Sequence, residues 1–405
     1  MKEKRRPQDL ALFSGRPAFS KIRSTSNLAK PDEDRFFFYV KQSFDSHWMT
    51  NNGPMVQELE KRLANIHEVR HCVAFCNGFW AIALCMYELA LKGKTEVIMP
   101  AMTYRRLADI TAWVGLTPHF CDLDENTLSI SVTSVERCIN EKTALIMAAH
   151  PIVHICDIDG LTKLASRHGV PLLFDSVEAS YASYKGGMIG SFGDAECFSM
   201  HASKLLNGFE GGYMTTNNTE LAEKVSIARG FGFSGQDNVV ALGLNAKLNE
   251  IHASMALASI DELQNQLLRN RGRYELYCEL LEHINGIEIV RYNENEKRGY
   301  KNILVELTDS WPVSREETIQ ILHAENMLVR PYYNPPLHTR KTSYNTVFED
   351  LPVAEYLTQR YMLLPSGEFV SHSDIRVISS VLASIPNMGR ELLTELEKRR
   401  NERIQ

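Results

Sequence analysis

The chain has 405 residues, 44% hydrophobic and 23% charged, with a formal net charge of −6. That length predicts two or three domains, each with a sizeable core. An acidic balance with no basic stripe beyond Lys2–Arg6 argues against a nucleic-acid partner.

No apolar run approaches the roughly 20 residues of a membrane span. The charged start is not followed by the apolar stretch of a signal peptide. Eight scattered cysteines without a C-x-x-C pair read as free thiols of a reducing compartment rather than disulfides or a zinc site. A cytoplasmic protein without membrane association is expected.

Residues 1–30, polar and basic with Pro7 and Pro17, read as a loose N-terminal arm. A helix is expected from Pro31 to about His47, then a turn-rich link through Trp48–Pro54 to a second helix over Met55–Leu63. From residue 72, short apolar runs alternate with helical stretches. Strands are expected at 72–76, 96–99, 117–121, 144–149 and 171–175, with helices at 78–91, 104–114 and 159–168. Continuous apolar strands suit a sheet covered on both faces, and repeated strand–helix–strand units suit parallel pairing.

A further strand covers Cys197–Met200, followed by a polar turn around Lys204 and by Gly208, Gly211 and Gly212. Beyond a helix at 219–229 and the glycine-rich 230–235, one long helix is expected over about 248–281. The remainder has short strands at 287–290, 302–307 and 328–331 and helices at 315–324, 353–360 and 373–384, with a charged helical tail from Glu391. This predicts an α/β protein with a large domain over 31–280, built on a mostly parallel sheet, and a smaller α+β domain over 281–405.

Lys204 follows a buried strand on a glycine-flanked turn. Lysine there can meet a carbonyl as an amine, because burial lowers its pKa readily. Asp175 ends the strand Pro171–Asp175, at the sheet edge where open α/β folds bind ligands. Asn77-Gly78 opens a helix that is apolar nearly all round, and the free N–H groups of such a buried end suit a phosphate. Ser199 offers a hydroxyl five residues before Lys204, and Tyr104 offers an aromatic face after the strand at 96–99. Taken singly, these could be a helix cap, a packed tyrosine and a solvated lysine. Together they are what pyridoxal 5′-phosphate needs: a phosphate cradle, a ring face, a carboxylate for the ring nitrogen and an amine for the aldehyde.

Asp175-Ser-Val-Glu178, Gly190-Ser-Phe-Gly-Asp194, Phe198-Ser-Met-His-Ala-Ser-Lys204 and Glu210-Gly-Gly212 resemble the DegT/DnrJ sugar-nucleotide aminotransferases, which are fold-type I pyridoxal-phosphate transferases. Trp48–Pro54, Pro100–Tyr104, Gly243–Lys247, Pro335–His338 and Leu351–Glu355 also match.

The resemblance implies that Lys204 forms the Schiff base and shuttles protons while Asp175 pairs with the pyridine nitrogen. Tyr104 would stack on the ring, and Asn77, Gly78, Phe79 and Ser199 would hold the phosphate. Asn245 would reach the cofactor of a second subunit, so a homodimer is expected. The implied reaction takes an amino group from L-glutamate, passes it through pyridoxamine 5′-phosphate and delivers it to a keto sugar, expected to be a nucleotide-linked 4-keto-6-deoxyhexose.

Three departures bear on the substrate and the ring. Glu178 stands where the family carries glutamine or histidine to donate to the ring oxygen. An ionised glutamate cannot donate, so it is expected to be protonated, water-bridged or turned away. Arg105-Arg106 follows Tyr104, either as solvated charges or as an anion-binding lip. The segment after His150 lacks a glycine common in the family. Arg105, Arg106, Arg330, Tyr332 and His338 are the candidate substrate contacts. An acceptor without a nucleotide, such as a cyclitol ketone or an antibiotic amino-sugar precursor, stays open, as does a non-catalytic cofactor-binding regulator. A pyridoxamine-dependent dehydratase of the same fold would carry histidine in place of Lys204.

Overall fold

The computed structural model describes residues 4–404. Its centre is a seven-stranded sheet of β1 (His71–Phe75), β2 (Glu96–Pro100), β3 (Thr117–Cys121), β4 (Thr143–Ala149), β5 (Leu172–Asp175), β6 (Ala195–Ser199) and β7 (Gly212–Thr216). The spatial order is β1-β7-β6-β5-β4-β2-β3, and only β7 runs antiparallel to its neighbours. All of β2 and β4 is buried, as their unbroken apolar runs predict for strands covered on both faces. Side chains such as Phe120, Phe174 and Phe198 are sealed from solvent, each stabilising the fold by roughly 1.5–3 kcal/mol.

Twelve α-helices are described, among them α1 (Glu33–Ser46), α2 (Pro54–Ile66) and α3 (Gly78–Leu89). Asn77 caps α3 by accepting the Trp80 N–H at 3.1 Å. The helix expected at 104–114 begins only at Leu107, leaving Tyr104 in the preceding loop. The single helix expected over 248–281 is two, Glu250–Asp261 and Leu263–Leu281, which meet at Glu262 (φ −90°, ψ 0°). The tail does not stand apart: His372–Ile404 forms one run, kinked where Gly389 leaves helical geometry (φ 49°, ψ −124°).

A second sheet, antiparallel throughout, has the order β8 (Ile287–Ile289), β9 (Ile303–Leu307), β11 (Tyr361–Leu364) and β10 (Arg330–Pro331). The described part of the N-terminal arm is not loose. Arg23–Ser24 pairs in parallel with Met327–Leu328, and Leu10 is fully buried. Glu325, itself fully buried, accepts from the Lys4 ammonium at 3.0 Å and from the N–H groups of Ala11 and Ala18 at 2.8 and 2.7 Å. A buried carboxylate must find donors, and this segment supplies them. Met1–Glu3 lie outside the described residues. No helix among the described residues is long and apolar enough to cross a membrane, and the eight cysteines are free thiols.

Candidate active site

Topology gathers the site before any side chain is considered. Asp175, Ser199 and Phe75 end β5, β6 and β1 at one edge of the sheet, and Gly212 opens the antiparallel β7 beside both Ser199 and Phe75. The Asn77–Gly78 turn follows β1 and the Tyr104 loop follows β2, so both emerge at that edge.

Gly78 shows how closely the cradle is built. A Cβ at this position would stand 3.1 Å from both the Phe198 carbonyl oxygen and the Ser199 Cβ. Gly212 is tighter still, its imagined Cβ only 2.4 Å from the Gly78 nitrogen. The bare backbone therefore brings the first N–H groups of α3 beside the Ser199 hydroxyl, with Asn77 occupied as the cap. Phe79 is half-buried in the first turn. Backbone N–H groups and a hydroxyl so placed suit a phosphate.

Lys204 reaches Glu178, with Nζ 2.5 Å from Oε1. Burial alone would lower the Lys204 pKa, but the Glu178 carboxylate outweighs it and holds the ammonium above its ordinary value, with smaller help from Asp175 and Tyr104. Glu178 follows β5 on a short helical turn, with 12% of its side chain exposed. Its other oxygen accepts from Lys301 Nζ at 2.9 Å and Asn302 Nδ2 at 3.1 Å. Burial pushes this carboxyl up, but the two lysines overcome that and hold it well below the usual carboxylate range. Glu178 is therefore ionised and faces the lysine, neither protonated nor turned away.

Asp175 is buried and differently placed. One oxygen accepts the Val177 N–H at 3.2 Å, and burial raises its pKa to about 6 against the opposing influence of that bond and of Lys204. A buried carboxylate so poorly compensated suits a cationic ring nitrogen, whose charge would hold it ionised. Behind it, His150 stacks on Phe174 with ring centres 5.0 Å apart. The residues present thus fit pyridoxal phosphate at each of its polar ends.

Tyr104 is half-exposed, near enough to act on the Lys204 charge. Asn245 is exposed beside Ala246, whose carbonyl takes the Cys76 N–H at 2.8 Å, so its backbone runs next to the Asn77 turn. The candidate substrate residues scatter. Arg106 is exposed and paired with Asp109 at 2.8 Å, while Arg105 donates to the Asn334 carbonyl at 3.2 Å. Both arginines thus have partners within the chain, which weakens the reading as an anion-binding lip. His338 turns to Glu355 at 3.2 Å, and Arg330 is exposed on the outer strand β10. Tyr332 is buried, its hydroxyl accepting the Ile152 N–H at 3.3 Å. The segment without the expected glycine carries buried Ile152 and Val153 instead.

Sequence reasoning missed Lys301 and Asn302. They precede β9 in the small sheet, more than 120 positions from Glu178, and no local pattern marks them. The unexpected charge of Glu178 was the available signal, since a buried carboxylate demands a cation.

A strand-edge lysine flanked by buried carboxylates, on a mostly parallel sheet with a phosphate cradle, defines the class of fold-type I pyridoxal-phosphate transferases. Residues 31–382 match the DegT/DnrJ/EryC1/StrS aminotransferase family, and the chain belongs to it. It is an aminotransferase.

The chain is 28% identical over 347 residues to GDP-perosamine synthase of Caulobacter vibrioides, covering 85% of this chain and 93% of the relative. It is 27% identical over 342 residues to dTDP-4-amino-4,6-dideoxy-D-glucose transaminase of Escherichia coli, covering 83% and 91%. Among solved structures, DesI in the presence of its TDP-sugar product superposes with a TM-score of 0.89 at 32% identity, covering 96% of this chain and 99% of that one.

Proposed function

We propose that this aminotransferase uses pyridoxal 5′-phosphate to move an amino group from L-glutamate to a keto sugar carried on a nucleotide, a 4-keto-6-deoxyhexose in the first instance. The observation that carries the reading is the Lys204 amine held at the sheet edge between Glu178 and the Asp175 carboxylate. The relatives named for GDP- and dTDP-linked sugars, and the likeness to DesI with a TDP-sugar, support the nucleotide.

The first N–H groups of α3 and the Ser199 hydroxyl would hold the phosphate, Asp175 the ring nitrogen, and Tyr104 one ring face. When bound, the cofactor supplies a carbonyl for amines and a ring that accepts an electron pair. Lys204 would hold the carbonyl end at rest. Once freed by the incoming amine, its Nζ would take the proton from the donor carbon and deliver it to the former carbonyl carbon two bonds away, a general acid–base role for one nitrogen. Asp175 would stay ionised against a cationic ring.

A homodimer is part of this reading. Phe37, Phe38, Phe44 and Trp48 are exposed along and after α1, as are Phe231, Phe233 and Leu242 on the segment leading to Asn245. So much exposed apolar surface suits a subunit contact. Sedimentation of the intact protein as a single chain would contradict it. The free thiols fit a cytoplasmic setting.

The test of function is 2-oxoglutarate formation from L-glutamate by the loaded protein. The wild type is expected to form it. Lys204→Ala is expected to lose at least a hundredfold in rate, and an unchanged rate would overturn the assignment.

A further inference from the structure

Lys301 shares the Glu178 carboxylate with Lys204, and it arrives from the other sheet. It lies just before β9, its side chain is 12% exposed, and it pairs with Glu178 at 2.9 Å. Glu178 is thus gripped at both oxygens, by Lys204 on Oε1 and by Lys301 with the Asn302 amide on Oε2.

We propose that Lys301 is a positioning residue for the amino-transfer reaction, keeping Glu178 fixed and ionised while offsetting that carboxylate's hold on the Lys204 amine. The proposal rests on the aminotransferase reading of the site.

Two electrostatic requirements conflict here. A lysine that attacks a carbonyl or takes a proton from carbon must be able to shed its own proton. Glu178, 2.5 Å away, resists that by stabilising the ammonium. Lys301 pulls in the other direction, since two ammonium groups on one carboxylate repel each other. The repulsion is mutual: Lys204 helps lower the Lys301 pKa, after burial and against Glu178.

Glu178 also needs Lys301 whenever Lys204 leaves it. A nearly buried carboxylate with no cation would take up a proton, and the grip on Oε2 prevents that. The buried charges match in number: Asp175 and Glu178 against Lys204 and Lys301.

The other titratable groups facing the set are phenols and the His150 imidazole. Tyr104 and Asp175 act on Lys204, while Tyr292, Tyr332 and Tyr333 face the Glu178 charge. Burial raises the pKa of these last three, so they stay neutral near pH 7. His150 lies behind Asp175 and acts on it. None of these replaces Lys301 as a cation on Oε2.

A purely structural salt bridge between the sheets would leave the proton affinity at Lys204 unaffected, which makes the two roles separable. The experiment titrates the long-wavelength absorbance of the cofactor-loaded protein with pH, because that band reports the proton on Lys204 Nζ. Lys301→Met should raise the midpoint by roughly one pH unit, and Glu178→Gln should lower it, each within the range of one neighbouring charge. Lys301→Arg, which keeps the charge, should restore the wild-type midpoint.

Superimposed titrations for wild type and Lys301→Met would overturn the proposal, as would shifts of the same sign for Lys301→Met and Glu178→Gln. If Lys301→Met does not fold, Lys301→Arg and Glu178→Gln decide, and an unmoved midpoint in Glu178→Gln overturns it. A wild type that never acquires the band would instead overturn the cofactor reading.

Discussion

Asp175 and Glu178 are three residues apart, both largely buried, and they titrate in opposite directions. Asp175 has no cation at hydrogen-bonding distance, and burial raises it to about 6; Glu178 has two lysines and is held far down. Their effects on stability oppose each other too. The native pKa of Asp175 lies above its ordinary 3.8, so its contribution is fully present below that value and is lost as pH rises through about 6. Glu178 contributes stability above its ordinary 4.5, lost as pH falls toward its depressed native pKa.

Asp175→Asn should therefore stabilise the cofactor-free protein by ~1–3 kcal/mol at pH 8, while weakening retention of the cofactor. Chemical denaturation of both forms at pH 8 and pH 4 checks this, and the gain should vanish at pH 4. A variant equally stable at both values would show that Asp175 is not strained by burial. A residue that costs stability at the pH where it works is what a functional site predicts.

At the scale of elements, the described N-terminal segment is a brace. It delivers Lys4 and two backbone donors to Glu325, adds a strand beside Met327–Leu328, and brings Asn27 within 3.4 Å of the Lys204 carbonyl oxygen. Glu325→Leu leaves the Lys4 ammonium buried without its anion, and an orphaned buried charge of this kind costs roughly 3–5 kcal/mol. The expected result is a lowered unfolding midpoint with earlier proteolysis within residues 4–30. Unchanged cleavage would mean that the brace does not depend on Glu325.

This segment also shows where sequence reading stops. The central strands were legible because unbroken apolar runs bounded by turns can be little else, and strand ends located Asp175, Ser199 and the Asn77 turn. Residues 1–30 were read as loose because they are polar, basic and broken by prolines. The partners of the described ones lie some 300 positions away, at Glu325 and Met327. Lys301 escaped for the same reason. Glu178 was noticed as an anomaly, but its protonation state follows from two lysines that only the folded chain brings together.

For the whole molecule, the two sheets meet at the chemistry. The large sheet supplies Asp175 and Lys204 at its edge, and the small sheet supplies Lys301 and Asn302 at the start of β9. The substrate side was the least legible part of the sequence: Arg105 and Arg106, open to reading as solvated charges or as an anion-binding lip, have partners within the chain. Identification of the acceptor therefore rests on the family and on catalysis itself. The most direct measurement supplies the loaded protein with L-glutamate carrying isotopically labelled nitrogen and a panel of keto sugars with and without a nucleotide. The account predicts label in an amino sugar still attached to its nucleotide, and faster transfer there than to the free sugar. Label appearing only in acceptors without a nucleotide, or in none while glutamate is still consumed, would contradict it.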